Sequence, residues 1–405
     1  MTGRLSVLWI TPHTPTSNST GGAMRAYELL RGCAKGHDVE VWQTGAGGPD
    51  AELKLTDDRW HRYPAREASR RRHKIGVLVD PLPLAAWSST HELTRRAVDN
   101  AASAGHDLIV VDQYSAYGLL GLLRACGLPW IHIEQGIEWR LAASIARRAP
   151  TPYGVILNAS NAARAWWWGR RTVREADGVV AASEPDAAAL RAWGARRVHV
   201  APNGTRIPAA PAHQPRPGQA RRLLFLGSLD YWPNVDACEW LTSKLMPAIR
   251  REVPDAVLTV IGRKPLPRVM RLHDPASGIE VVGEVDEVRP WLAGSDVLLV
   301  PMRAGHGTKI KMIEAAANGL PMVATDQADA GLDYGAAGAA LTARDAPAFV
   351  AQTVALLRDP ELRQRLSTRA RSIVAGSDWD EIGARFAAWL PEVAAARGAA
   401  GVPVR

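Results

Sequence analysis

"GHGTKIKMIEAAANGLPMVAT", residues 305–325, runs a glycine-rich turn, a helix and a strand together without a break. Ile310, Ile313 and Ala317 recur at helical spacing and supply the apolar face that docks such a helix on a sheet. Gly319 stops the helix, and "LPMVAT" (320–325) is a short apolar strand. A helix start carries unsatisfied N–H groups and the positive end of the dipole. Lys309 and Lys311 add two cations in the first turn, and Gly305 and Gly307 let backbone approach closely. So much positive polarisation at one helix start is a place for an anion. Side chains two positions apart point apart on a helix, so one of the two lysines reaches it.

Outward from this stretch the chain repeats strand and helix. "RLSVLWI" (4–10) is a strand, "GAMRAYELLRGCAKG" (22–36) a helix and "HDVEVWQT" (37–44) a strand. "HDLIVVDQ" (106–113), "LPWIHIEQ" (128–135), "DGVVAAS" (177–183) and "RRVHVAPNG" (196–204) continue the strands. "PAAPAHQPRPGQARR" (208–222) reads as a linker by its prolines. The alternation then restarts with "RLLFLGS" (222–228), a helix over 234–253, "AVLTVIG" (256–262), "IEVVGEV" (279–285) and "DVLLVPM" (296–302). "SDWDEIGARFAAWLPEVAAARGAA" (377–400) is amphipathic, with Trp379, Ile382, Phe386 and Trp389 on roughly one face. Repeated βα units predict an α/β protein with two doubly wound, Rossmann-like domains facing across a cleft. The expected division is 1–207, linker 208–222, 223–377, and a terminal helix in 378–405.

The 405 residues suit two or three domains, and 22% charged with 47% hydrophobic residues is ordinary globular composition. No apolar run nears the roughly 18 residues of a membrane span, and no secretion signal is expected. Cys33, Cys126 and Cys238 are scattered, which argues against a disulfide framework or structural zinc and for a reducing cytoplasm. The net charge of +8 is uneven: residues 1–205 hold 25 Lys and Arg against 19 Asp and Glu. Much of the excess lies in "RYPAREASRRRHK" (62–74), either a solvated loop or a patch for a phosphate-rich partner. No nucleic-acid-binding motif accompanies it, so nucleic acid is not expected as a partner.

The second half resembles the retaining, GT-B-type glycosyltransferases of the family 1/4 group. The resemblance rests on "FLGSLDYWPNVDA" (225–237), "VLTVIGRKP" (257–265), "VVGEVDEVRPWL" (281–292), "VLLVPMRAGHGTKIKMIEAAANGLPMVAT" (297–325) and "AGLD" (330–333), in matching order and spacing. "STGGAMRAYELLRG" (19–32) and the segment from "EADGVVAAS" to "VHVAPNGT" match more loosely. The resemblance implies transfer of a sugar from a nucleotide-diphosphate sugar held by the C-terminal domain. The acceptor, a small molecule, a lipid-linked molecule or a glycan, would sit on the N-terminal domain. It also implies that the last helix crosses back to the N-terminal domain, and that neither cofactor nor metal is required. A peripheral contact with the inner, anionic face of the membrane would suit a lipid-linked acceptor.

By the same resemblance, Lys311 meets the diphosphate and stabilises the leaving charge, and Glu314 accepts hydrogen bonds from the ribose. Gly305, His306, Gly307, Thr308 and Lys309 complete the loop over the donor. The family's first glutamate falls at His306, a departure that motivates an alternative reading as a catalytically lapsed nucleotide-sugar binder. The arginine and lysine that many members place after the first strand of this domain are missing from "GSLDYWPNVDA", leaving Arg263 or Arg303 to assist Lys311. Gly21 and Gly22 are read as a loop whose N–H groups meet the donor phosphates, against a plain tight turn. "HIEQGIEW" (132–139) ends a strand, and His132 and Glu134 are assigned acceptor or sugar contacts, against a structural ion pair. Three successive tryptophans in "AWWWGRR" (165–171) cover more than half a helix circumference, so they cannot all face one core. Packing between domains, the cleft or a membrane interface are the destinations open to the rest.

Overall fold

The structure, a computed structural model, describes residues 3–12, 14, 21–44, 53, 55–63, 82–83, 86, 92–148, 151–213, 221–305 and 308–398. It divides into two compact units, Met1–Pro202 with Trp379–Arg405, and Asn203–Asp378.

In the first unit β1 (Ser6–Thr11), α1 (Gly21–Gly36), β2 (Asp38–Thr44) and β3 (Trp60–Tyr63) come first. α2 (Glu92–Asn100), β4 (Leu108–Asp112), α3 (Ser115–Ala125) and β5 (Trp130–Ile133) follow. α4 (Glu138–Arg148) and α5 (Pro152–Glu175) form a helical hairpin before β6 (Gly178–Ala181), α6 (Glu184–Ala192) and β7 (Val198–Val200). The sheet has the order β3-β2-β1-β4-β5-β6-β7, every pair parallel. β4 and β5 are buried at every position. That is why their sequences run apolar without alternation: helices cover both faces.

The second unit holds β8 (Arg222–Leu226), α7 (Trp232–Trp240), α8 (Met246–Glu252), β9 (Val257–Ile261), α9 (Pro267–Met270), β10 (Ile279–Gly283) and α10 (Arg289–Gly294). β11 (Val297–Val300), α11 (Ile310–Ala317), β12 (Met322–Thr325), α12 (Asp326–Asp329), β13 (Leu341–Ala343), α13 (Ala346–Arg358) and α14 (Pro360–Val374) complete it. Its sheet order is β10-β9-β8-β11-β12-β13, again parallel throughout. Both sheets therefore reverse their winding once, between β1 and β4 and between β8 and β11. Open sheets of this kind bind ligands beyond the carboxyl ends of the strands at the reversal.

Several expectations are corrected. The helix expected over 234–253 is not one regular helix: Leu241–Leu245 form a π-turn between α7 and α8. Pro247 explains it, since proline has no N–H and its ring crowds the carbonyl of the preceding turn. Part of the stretch read as a linker is packed: His213 is buried and its N–H donates to Asn318 O at 3.0 Å. Residues 214–220 of it, residues 64–74 of the basic stretch, and "GAGG" (45–48) lie outside the described residues. The short edge strands β3 and β13 had no periodicity long enough to read.

α15 (Trp379–Gly398) belongs to the first unit and packs along α1. Trp379, Ile382, Phe386 and Leu390 join the core formed with Trp9, Tyr27 and Leu30. The two helices touch through glycines: a Cβ on Gly32 would lie 2.4 Å from Gly383 Cα. Arg31 and Lys35 of α1 both reach Asp380, at 2.7 and 2.6 Å. His37 Nε2 lies 2.9 Å from Ala387 O.

Candidate active site

The reversal in the second sheet brings together the ends of β8 and β11. After β8 comes Gly227; after β11 the chain runs through Gly305 into α11, which Lys309 precedes and Ile310 begins. Lys309 thus stands at the helix cap rather than in the first turn. Lys311 is buried, and its Nζ donates to Asn234 Oδ1 at 3.0 Å and lies 4.5 Å from the Phe225 ring centroid. Asn234, in the first turn of α7, is held in turn by donating from Nδ2 to Ser228 O at 2.9 Å. The alternative pairing of Lys311 with Glu314 does not form; the ammonium turns to a neutral amide and an aromatic face instead.

Two glycines make room for this. A Cβ on Gly227 would fall 2.8 Å from both Lys311 Nζ and Asn234 Nδ2. A Cβ on Gly262, after β9, would fall 1.7 Å from Gly227 O. Gly305 has φ +106°, a region that a Cβ-bearing residue rarely enters, and its carbonyl accepts from Gln327 Nε2 at 2.9 Å. Thr308 Oγ1 accepts from Asn203 Nδ2 at 2.6 Å. His306 and Gly307 lie outside the described residues.

Charge in this pocket is expensive. Burial lowers the Lys311 pKa to about 7, with Lys309 pushing it the same way and Glu314 opposing. Burial lowers Lys309 to about 8 and raises Glu314 to about 7, the latter opposed by Lys311. An anion arriving beside Lys311 restores its charge. Arg303 is not available for that work. It clasps Asp236 through Nε at 3.0 Å and Nη2 at 2.5 Å and lies 5.0 Å over the Trp240 ring. Arg263 is half-buried beside Gly262, and its carbonyl accepts from Leu229 N at 2.8 Å.

In the first unit the reversal between β1 and β4 is tied by side chains. Thr11 Oγ1 donates to Asp112 Oδ2 at 3.0 Å, and Gln135 Nε2 donates to Asp112 Oδ1 at 3.0 Å. Gly21 and Gly22 open α1 there; a Cβ on Gly22 would lie 3.2 Å from Gln113 Nε2. One turn on, Arg25 is fully buried and pins three strand ends. It donates to Ala201 O at 2.9 and 3.0 Å, to Ala181 O at 3.1 Å and to Glu134 O at 3.0 Å. It also reaches Gln135 Oε1 at 3.1 Å. Asp112 and Glu134 hold its charge against burial, which lowers its pKa to about 10.

His132 is the penultimate residue of β5 and Glu134 directly follows its end. His132 Nε2 lies 3.3 Å from Glu134 Oε2, and its Nδ1 has no hydrogen-bond partner. His132 is wholly buried and Glu134 is 5% exposed, so a ligand that reaches this pair meets the carboxylate first. Glu138 opens α4 nearby; burial and then Glu134 raise its pKa to about 7. Reading the sequence for chemistry missed Arg25, Gln135, Asp112 and Asn234. Asn234 lay inside the quoted "PNVDA" wording. The others carried no local signal, because their partners are 100 residues or more away along the chain or sit at other strand ends.

Comparison with known proteins places these elements. Residues 220–359 match the family Glycosyl transferases group 1, and residues 20–204 match the Glycosyl transferase 4-like domain. Two glycosyltransferase family models thus cover most of the chain, one in each unit. The chain is 29% identical over 206 residues to phosphatidyl-myo-inositol mannosyltransferase of Mycolicibacterium smegmatis, covering 49% of this chain and 52% of that protein. The protein of the same name from Mycobacterium leprae is 29% identical over 209 residues, covering 49% and 54%. The match spans about half the length of these relatives. Among solved structures, sucrose-phosphate synthase from Thermosynechococcus elongatus superposes with a TM-score of 0.71 at 16% identity, covering 97% of this chain and 100% of that one. Anabaena HepE in complex with UDP and glucose gives 0.62 at 13% identity, covering 96% and 99%. At such identities these likenesses speak for the fold alone.

Proposed function

We propose that the protein is a retaining, metal-independent glycosyltransferase that moves a sugar from a nucleotide-diphosphate sugar to an acceptor hydroxyl. The observation that carries the reading is Lys311: a buried ammonium at the sheet reversal, bonded to an amide rather than to a carboxylate. A departing diphosphate supplies the missing counter-charge. As the bond from the anomeric carbon to the phosphate oxygen breaks, negative charge grows on that oxygen. Lys311, Lys309 and the N–H groups opening α11 stabilise it more than they stabilise the intact donor. These ammonium groups do the work that a divalent cation does elsewhere, which is why we propose metal independence. Glu314 receives the ribose hydroxyls, and contacts to the sugar are assigned to Gly305, His306, Gly307 and Thr308 on the resemblance alone. Gly21, Gly22 and Arg263 complete the donor contacts.

Glu134 orients the acceptor or the transferred sugar, and His132 positions Glu134 from beneath. The acceptor oxygen forms its bond to the anomeric carbon on the face that the phosphate leaves, and its proton passes to the leaving phosphate. The names of the two mycobacterial relatives, which carry a phosphatidylinositol, support an amphiphilic acceptor. Among the described residues no helix is long and apolar enough to cross a membrane.

Calorimetric titration with uridine, guanosine and thymidine diphosphates and their hexose derivatives tests the donor assignment. Binding of one of these nucleotides, abolished by Lys311→Ala, is the expected result. No binding of any of them sinks the reading. Donor hydrolysis at the background rate, with binding intact, points to a lapsed binder.

A further inference from the structure

α4 and α5 form a hairpin with an open groove between them of about 640 Å³. The groove is apolar. Ala143, Ala146, Ala159 and Ala162 line it, and Trp139 and Trp166 stand at one end. Among the described lining residues Arg147, at the other end, is the charged one. The lining runs from residue 139 to 147 on α4 and from 155 to 166 on α5. At 1.5 Å per residue that is a channel roughly 12–16 Å long. Val155 and Trp166 of the lining are 43% and 39% exposed and their neighbours Ile156 and Trp167 63% and 48%, while Arg170 lies 5.5 Å over the Trp166 ring and Arg171 5.3 Å over the Trp167 ring. An apolar groove lined by alanines and tryptophans, with guanidinium groups over the tryptophan rings, has the lining of a binding site rather than of a solvated face. Of the three successive tryptophans, Trp168 packs against the core, Trp166 lines the groove and Trp167 is exposed beneath Arg171.

The groove starts where the polar cluster ends. Trp139 follows Glu138, the first residue of α4, whose carboxyl lies within electrostatic reach of Glu134. Hydroxyl-accepting carboxylates at one end of a smooth alanine-floored channel describe the two halves of one amphiphile.

We propose that the α4–α5 groove holds a hydrocarbon chain of the acceptor, with the acceptor's hydroxylated head at Glu134 and Glu138. The inference rests on the glycosyltransferase reading only for the word acceptor; occupation of the groove is a separate measurement. A chain lying along the alanine floor buries methylenes between Trp139 and Trp166 and is directed away from the carboxylates toward Arg147.

The test is calorimetric titration of the full chain with methyl, hexyl, octyl and decyl glucosides, each kept below the concentration at which it forms micelles. Affinity is expected to rise about two- to fourfold per added methylene, the upper figure corresponding to full burial. Ala159→Phe and Ala163→Phe, both at exposed positions on the groove side of α5, fill the channel without entering the core. They are expected to flatten that slope while nucleoside diphosphate binding, measured on the same samples, stays unchanged. An affinity independent of chain length, or an unaltered slope in both variants, overturns the proposal. So does binding confined to phosphatidylglycerol vesicles with none to the monomeric glucosides, which makes the hairpin a membrane-contact face. Sedimentation showing a dimer that Ala159→Phe dissociates overturns it in favour of a second copy. Loss of nucleotide binding alone fails the donor assignment and leaves the groove result standing.

Discussion

Lys311 Nζ donates to Asn234 Oδ1 at 3.0 Å, across 77 positions of chain, and both residues stand in the first turn of helices that follow β11 and β8. The bond aims an ammonium at the sheet reversal while leaving its charge uncancelled. Lys311→Ala is therefore expected to lower kcat by about 10²–10³, the scale of losing one preorganised stabiliser of transition-state charge. The thermal midpoint is expected to hold or rise, because a buried cation is removed. Steady-state kinetics beside a melting curve checks both, and an unchanged kcat/KM refutes the leaving-group role.

The same burial makes nucleotide binding depend on pH. In the free protein the Lys311 pKa falls from 10.5 to about 7 because burial penalises the charged form. A bound diphosphate pushes it back up. Between about pH 7 and the bound value, binding takes up a proton and affinity falls by up to about tenfold per pH unit. Stability of the free protein shifts the other way: a lowered lysine pKa costs stability at acid pH, and that cost is relieved as pH rises from about 7 toward 10.5. Calorimetry in buffers of different ionisation enthalpy counts the proton. No uptake at pH 8 contradicts the assignment.

Glu314→Gln is expected to raise the donor KM by roughly tenfold with a smaller change in kcat. An interaction formed equally in ground and transition states affects binding alone. Its carboxyl is already pushed up to about 7 by burial, so the neutral amide is expected to cost little stability. A variant that melts earlier yet keeps its KM shows Glu314 to be structural.

Gly227→Ala separates room from chemistry. The new methyl would sit 2.8 Å from Lys311 Nζ, so the lysine has to leave its place. Nucleotide affinity is expected to fall at least tenfold. Addition of Lys311→Ala to this variant is expected to cost little more, because the two changes share one target. Full additivity in a double-mutant cycle argues that they act separately.

Gly32→Ala tests the helix pair of the first unit. Its Cβ would meet backbone, Gly383 Cα at 2.4 Å, and backbone yields less readily than a side-chain tip. A loss of about 1–3 kcal/mol, typical of overpacking, is expected from chemical denaturation, with nucleotide affinity unaffected. A neutral result means that α1 and α15 lie further apart than described.

The chain order of apolar runs, glycines and prolines was enough to announce parallel sheets. A strand buried on both faces has to be apolar throughout, and such runs alternating with helices have few other ways to pack. The fold of the second unit and the cationic start of α11 were legible because loop, lysines and helix are neighbours in sequence. What sequence alone did not reveal were partners brought together by the winding of the sheets. Arg25 gathers carbonyls from three strand ends, Asn234 meets Lys311 across the reversal, and Arg303 is lost to Asp236. Local pattern reports the period of an element and its caps. Which distant polar group meets which is decided when strands order themselves, and the low dielectric of the interior then sets what charge each can carry. The groove between α4 and α5 belongs to this second kind: its alanines look like ordinary helix formers until the hairpin closes and brings them together as one lining.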